Sequence, residues 1–263
     1  MKIRILLAAA LLVCSCSPAV KDLEKFNLNC NASEVTLQSD TLELPYTAYF
    51  NKHGQLDSIV TRNFDGGYRS TESYSYDKKG RLAEISGINA DGESEIRYEY
   101  EFDGRFVREC RIYGMNNQEM HRWIHSNDGR HIVRTEYYNE GELEYITTKK
   151  FSGNSYSEET INEDGEIIGQ AEVDFFRNEN KPMHIRSSQM NVDIEYNGNG
   201  LPVMSREAVL NSLGEMEWTP DLETNPDRYY SYEYDKRGNW ISRAEKIHPD
   251  STAVIVLRRT IKY

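Results

Sequence analysis

The chain has 263 residues, 43 acidic and 31 basic, for a net charge of −12, and 38% of it is hydrophobic. Such an excess of carboxylates repels phosphate backbones and anionic headgroups, which argues against binding nucleic acid or a lipid surface by charge. Aliphatic content is close to the level at which a chain fails to fold, but 18 tyrosines compensate, because each buries a large ring while its hydroxyl reaches a wet edge.

Lys2 and Arg4 precede the apolar run from Ile5 to Val13, the basic-then-apolar order of a secretory leader. That run is far shorter than the ~20 residues a helix needs to cross a bilayer. The following Val13, Cys14, Ser15 and Cys16 resemble the bacterial lipobox, in which a small residue precedes the cysteine that is lipidated. The resemblance implies a signal peptide over 1–15 and diacylglycerol plus an N-acyl chain on Cys16. Cys14 fits worse, because the bulky Val13 would take the small-residue position. More than one acyl chain gives stable anchoring, so a lipoprotein of the cell envelope is expected, exported and held in the outer membrane. Loss of the leader with Lys2 and Arg4 takes the charge to −14.

The stretch 16–33 is polar, contains Pro18 and lacks periodicity, as in a tether holding the body roughly 20 to 25 Å from the lipid. Export permits a disulfide between Cys30 and Cys110, and their spacing leaves the pairing open.

From residue 34 to 263 a single repetitive β domain is expected. One phrase recurs, as YSYDKKGRL at Tyr74 to Leu82, YEYEFDGRF at Tyr98 to Phe106 and YEYDKRGNW at Tyr232 to Trp240, with weaker copies between. Turn signals recur about every 12 residues, at Gly54, Gly66, Gly80, Gly92, Gly104, Asn116, Gly129, Gly141, Gly153 and Gly165. Five of the glycines follow an aspartate, at Asp65, Asp91, Asp103, Asp128 and Asp164, a hairpin signal because glycine accepts positive φ. Strands of about eight residues follow, joined as an antiparallel meander. Fifteen or so exceed the ~10 that an open twisted sheet tolerates, so the sheet is expected to curl, split into layers or coil into a solenoid.

Alternation assigns the faces. Four residues before the turns stand Phe50, Tyr76, Tyr100, His125, Tyr137, Ile161, Tyr196 and Tyr234, and two after them Leu56, Leu82, Phe106, His131, Leu143, Ile167 and Trp240. Ser75, Glu99, Glu136, Glu195 and Glu233 lie between, so one face packs and the other is acidic and solvated. The phrases YSYDKKGRL and YEYDKRGNW resemble the YD repeat of Rhs and teneurin-type proteins, which implies an all-β, curled or layered sheet over roughly Pro45 to Tyr263. The chain is too short for the toxin-enclosing shell of that family. Residues 201–227, with Pro202, Pro220 and Pro226, break the rhythm and form a candidate insertion.

No nucleophile elbow, P-loop, dinucleotide glycine pattern or HExxH occurs in the sequence. An enzyme is therefore not expected, nor a cofactor. His121, His125 and His131 invite a metal reading, but an even hairpin loop would turn His131 away from His125, whereas an odd loop or a bulge would reunite the three. The turns Asn89 to Gly92 and Asn162 to Gly165 lack the ligand alternation of a calcium loop. The paired tyrosines read as a core ladder, leaving Trp123 or Trp218 to meet a ligand. What remains is a non-catalytic envelope lipoprotein binding an extracellular protein or glycan. The alternative is a structural envelope component, or a toxin-associated scaffold or immunity protein without a small ligand.

Overall fold

A computed structural model describes residues 26, 28, 32–39, 45–63, 65–176, 181–187, 190–210, 216–217, 227–253 and 255–263. Its strands are β1 (Glu34–Ser39), β2 (Tyr46–Phe50), β3 (Leu56–Arg62), β4 (Tyr68–Tyr76), β5 (Leu82–Asn89), β6 (Ser94–Asp103) and β7 (Phe106–Tyr113). Next come β8 (Glu119–Asn127), β9 (Ile132–Asn139), β10 (Glu142–Ser152), β11 (Ser155–Asn162), β12 (Ile167–Phe175) and β13 (Pro182–Ser187). The last are β14 (Met190–Tyr196), β15 (Pro202–Leu210), β16 (Met216–Glu217), β17 (Arg228–Tyr234), β18 (Trp240–Lys246) and β19 (Ile255–Lys262). All pairings are antiparallel, and the meander runs in sequence order.

The expected all-β meander is observed, but the layered, solenoid or curled YD-repeat sheet is corrected to a closed barrel. β1 pairs with β2 and also with β19, where Glu34 lies opposite Lys262 and Ser39 opposite Leu257. β16 is a short branch on β15, which pairs onward with β17, leaving 18 strands in the ring. Closure is the arrangement that leaves no unpaired sheet edge. The expected insertion is also narrower than 201–227. Pro202–Leu210 is regular strand, with proline at its first position, where a missing N–H is tolerated; 211–215 and 218–226 lie outside the described residues.

The turns follow a different logic from the Asp-Gly pairs. In the commonest turn, an Asn or Asp stands three residues before the glycine and its side chain caps the loop. Asp77 Oδ1 accepts from the N–H of Lys79 (2.8 Å) and Arg81 (2.9 Å), and Asp235 Oδ1 from Arg237 and Asn239 (both 2.9 Å). Asn51, Asn89 and Asn197 do the same. The aspartate of the YD phrase is thus a turn cap. Gly80 then takes φ +76° and Gly238 +78°, the left-handed position of a type I turn with a bulge. At Asn116 the expectation shifts by one, since Asn117 holds the positive φ.

The residue after the glycine stitches neighbouring hairpins along one rim. Gln55 donates to the Gly80 carbonyl (3.0 Å), Arg81 to that of Gly104 (2.5 Å) and Arg105 to that of Gly129 (3.0 Å). This explains the recurring glycine-arginine step of the repeat.

One side of the sheet carries the repeat tyrosines, and most of the buried side chains belong to it, among them Ala48, Cys110, Ile112, Tyr137, Val173 and Leu257. Side chains on a single closed layer crowd only where they converge, on the concave side, so this face lines the barrel. Leu28 and Ala32 are buried on the same face against Val35, Ala48, Phe50 and Leu56, with Phe26 packed beside them. The end of the stretch read as a tether is therefore docked on the wall.

Opposite lies a face that is zipped rather than merely acidic. Arg97 pairs with Glu99, Arg108 with Glu101, and Arg134 with Glu136; Arg111 bridges Glu101 (3.2 Å) and Glu109 (2.9 Å). Ile161, Ile167 and Leu143 depart from the expected faces. Ile161 lies opposite Ile146 and Ile167, and Leu143 opposite Tyr138, all on the outer side. A turn of one hand presents opposite faces when it closes hairpins at opposite rims of a barrel traversed in one direction, so the Gly165 turn reverses the pattern of the Gly80 turn. At Gly141 the turn has two residues, Glu140 and Gly141, both at positive φ, which shifts the parity after it.

Gly92 isolates the backbone contribution, because it holds φ +80° and a Cβ added to it would meet nothing within 4 Å. Gly92→Ala is expected to cost about 1 to 2 kcal/mol, and Gly92→Asn less, measured by urea unfolding.

Candidate functional site

The inner wall over β8 to β11 is the most differentiated surface of the barrel. Register places Trp123, Tyr137 and Tyr145 side by side on it. The Tyr137 and Tyr145 rings stack at 4.6 Å, Trp123 lies 5.3 Å from Tyr137, and His121 stacks on Tyr137 at 5.7 Å. Further along the same strands a second group forms, with His131 stacked on Phe151 at 4.0 Å, Phe151 5.3 Å from Tyr156, and Tyr156 5.4 Å from Phe175. Aromatic pairs at such separations are attractive beyond the area they bury.

Between the two groups runs a polar strip. His125 Nδ1 lies 2.9 Å from Thr135 Oγ1, and Thr147 and Thr160 share a hydroxyl contact of 2.9 Å. Lys149 Nζ stands 3.6 Å from Glu158 and 4.4 Å from the centre of the Tyr156 ring. His125 is only 8% exposed, and its Nε2 has no hydrogen-bond partner. Burial, reinforced by the Lys149 cation, pushes its pKa down to about 4, so the imidazole is neutral at neutral pH.

The three histidines read as a metal set share the inner side, because a bulge at Ser126 and Asn127 offsets the even loop, yet they are spent separately. His121 Nδ1 meets the Tyr137 hydroxyl at 2.8 Å, His125 meets Thr135, and His131 stacks on Phe151. Among the described residues no group of three or more His, Cys, Asp or Glu is arranged to hold a metal.

Several repeat tyrosines behave as the core ladder reading anticipates, their hydroxyls donating to carbonyls of the adjoining hairpin, Tyr76 to Leu56 (2.7 Å), Tyr196 to Pro182 (2.9 Å) and Tyr232 to Pro202 (2.8 Å). Two depart from it, since Tyr74 donates to Glu72 (2.7 Å) and Tyr234 is 39% exposed. Elsewhere on the inner wall Arg259, 6% exposed, donates to the Phe26 carbonyl at 2.6 Å and lies 3.8 Å over the Trp240 ring. Burial lowers its pKa to about 10. Cys110 is fully buried on the same face. Cys16, Cys30 and Trp218 lie outside the described residues, so neither the lipid site nor the disulfide is placed.

Sequence reasoning singled out Trp123 and His125 but not their neighbours Thr135, Thr147, Lys149 and Glu158. Their alignment depends on the register of three hairpins, and the two-residue turns at Gly141 and Gly153 interrupt the repeat that otherwise signals it.

No family model matches the chain, and no curated protein does. Similar solved structures include a porin-like protein from Bacteroides uniformis, 13% identical over 88% of this chain and 98% of that one, with a TM-score of 0.43. A porin-like protein from Bacteroides vulgatus is 9% identical over 87% and 97%, with a TM-score of 0.29. The Tc holotoxin pore of Photorhabdus luminescens is 11% identical over 76% of this chain and 16% of that one, with a TM-score of 0.18. TM-scores below one half establish no shared role.

His125 makes stability depend on pH. A base whose folded pKa is depressed leaves the unfolded chain as the better proton acceptor, so stability present above pH ~6.5 falls as the solution is acidified towards pH 4. With one pKa unit worth about 1.4 kcal/mol, the loss is about 3 kcal/mol. Urea unfolding at pH 7 and pH 4.5 should show it, and His125→Gln should flatten the difference.

Proposed function

We propose that this chain is an exported, non-catalytic lipoprotein of the bacterial cell envelope whose barrel binds an extracellular glycan. The observation that carries the binding reading is the inner wall, where half-buried ring faces flank a strip of hydroxyls and paired charges. Eighteen strands at ~4.8 Å spacing give a perimeter of roughly 86 Å, wider than the eight-stranded barrels whose own side chains fill the interior.

The barrel strands stay out of the bilayer in this reading. A spanning barrel needs an outward apolar band about 25 Å tall, and here Glu99, Glu101, Arg111, Arg122 and Glu136 occupy the middle of the outer face. Turning the sheet inside out would not help, since Lys149, Glu158, Arg243 and Glu245 interrupt the other face. Membrane attachment then falls to the lipid on Cys16, and the lipobox-like sequence supports that assignment.

Two measurements test the proposal. Radiolabelled palmitate should enter the protein and be lost on Cys16→Ser but not on Cys14→Ser; retention by the Cys16 variant contradicts the anchor. A glycan array, paired with an envelope pull-down, should return a specific glycan without turnover of it. A protein hit alone replaces the glycan with a protein partner, and silence in both favours a purely structural envelope component.

A further inference from the structure

We infer that the inner wall of β8 to β11 is a subsite for a neutral oligosaccharide chain, laid along the strands with ring faces on the two aromatic groups and hydroxyls on the strip between them. The inference rests on the binding reading above and names its place and chemistry.

A carbohydrate presents apolar C–H faces and a hydroxyl-bearing edge, and this wall offers the complement of both in alternation. Trp123 and Tyr145 stand at one end, and Phe151 and Tyr156 at the other. All four are half-buried, so part of each ring remains accessible. Tyr145 and Phe151 lie on one strand, six residues apart, a separation of about 20 Å at ~3.3 Å per residue. A single sugar cannot touch both groups; a chain of several can.

The strip between them supplies hydrogen bonds of mixed sense. Thr135, Thr147 and Thr160 each donate and accept, Lys149 donates and Glu158 accepts. Lys149 and Glu158 offset each other, so the strip has no net charge to select an ionic ligand. His125 is enclosed within the strip and meets the Thr135 hydroxyl through Nδ1 (2.9 Å), so it positions that threonine and does not itself meet the sugar.

The test uses the full mature chain carrying Cys16→Ser, titrated calorimetrically with cellohexaose, maltohexaose, mannohexaose and xylohexaose and with the matching disaccharides. At least one hexaose should bind, with its disaccharide about tenfold weaker or more. Tyr145→Leu and Phe151→Leu should each weaken the hexaose by about tenfold while leaving the disaccharide less affected. Tyr145→Phe should retain binding, as should the outer-face control Glu99→Gln, and thermal unfolding of each variant checks that it is folded. Chain-length dependence is a readout that a merely structural role for these rings would not produce.

Binding of none of the hexaoses overturns the subsite, as does hexaose binding that folded Tyr145→Leu and Phe151→Leu proteins leave unchanged. In either case a specific partner from the array or pull-down leaves the broader binding reading standing. Failure of all three removes both.

Discussion

Everything else in this molecule depends on the hydrogen bonding of β1 to β19. Each strand of a meander satisfies its backbone through its neighbours, except the first and last, whose outer N–H and C=O groups face water and invite a foreign strand. Six residue pairs, from Glu34 with Lys262 to Ser39 with Leu257, join those two edges. Closure also converts a difference in chemistry between the two faces into a difference between inside and outside. Without it the tyrosine face would be one broad exposed apolar surface.

The two faces then do different work. Outside, arginines and glutamates pair across strands, and Arg97 and Arg122 also lie over the Tyr113 and Tyr138 rings at 4.1 and 4.7 Å, so a face read as acidic is largely self-neutralised. Inside, rings stack on rings and tyrosine hydroxyls close on backbone carbonyls. At the seam, Arg259 joins Phe26, Trp240 and the last strand, so Phe26 is tied near the closure. The polar strip around His125 stands apart, since it sets threonine hydroxyls and the Lys149–Glu158 pair between two groups of rings.

Much of the fold was legible in the sequence because its signals are local. The spacing of turn glycines and the tyrosine alternation marked the strands, and Tyr76, Tyr100, Glu99 and Glu136 lie on the faces expected of them. Closure was not legible, because it pairs residues more than 200 positions apart and no local signal encodes that meeting. The misplaced Ile161, Ile167 and Leu143 share one origin, the assumption that every turn presents the same face. The capping aspartates Asp77 and Asp235 were in plain view in the repeated phrase, but attention to Asp-Gly pairs concealed them. Of the site, the residue types of β8 were visible and their partners on β10 and β11 were not, because register across several turns decides which threonine stands beside which histidine.

The most direct test of the account is a paired substitution, Thr36→Cys with Thr260→Cys, at positions that lie opposite each other on β1 and β19. Mild oxidation of the folded chain followed by peptide mass mapping reads the result. A closed barrel predicts an intramolecular bridge between positions 36 and 260 in most molecules, with the cooperative unfolding of the parent retained. Recovery of both thiols unbridged from folded protein, or bridging only between molecules, would contradict closure and with it the division into inner and outer faces.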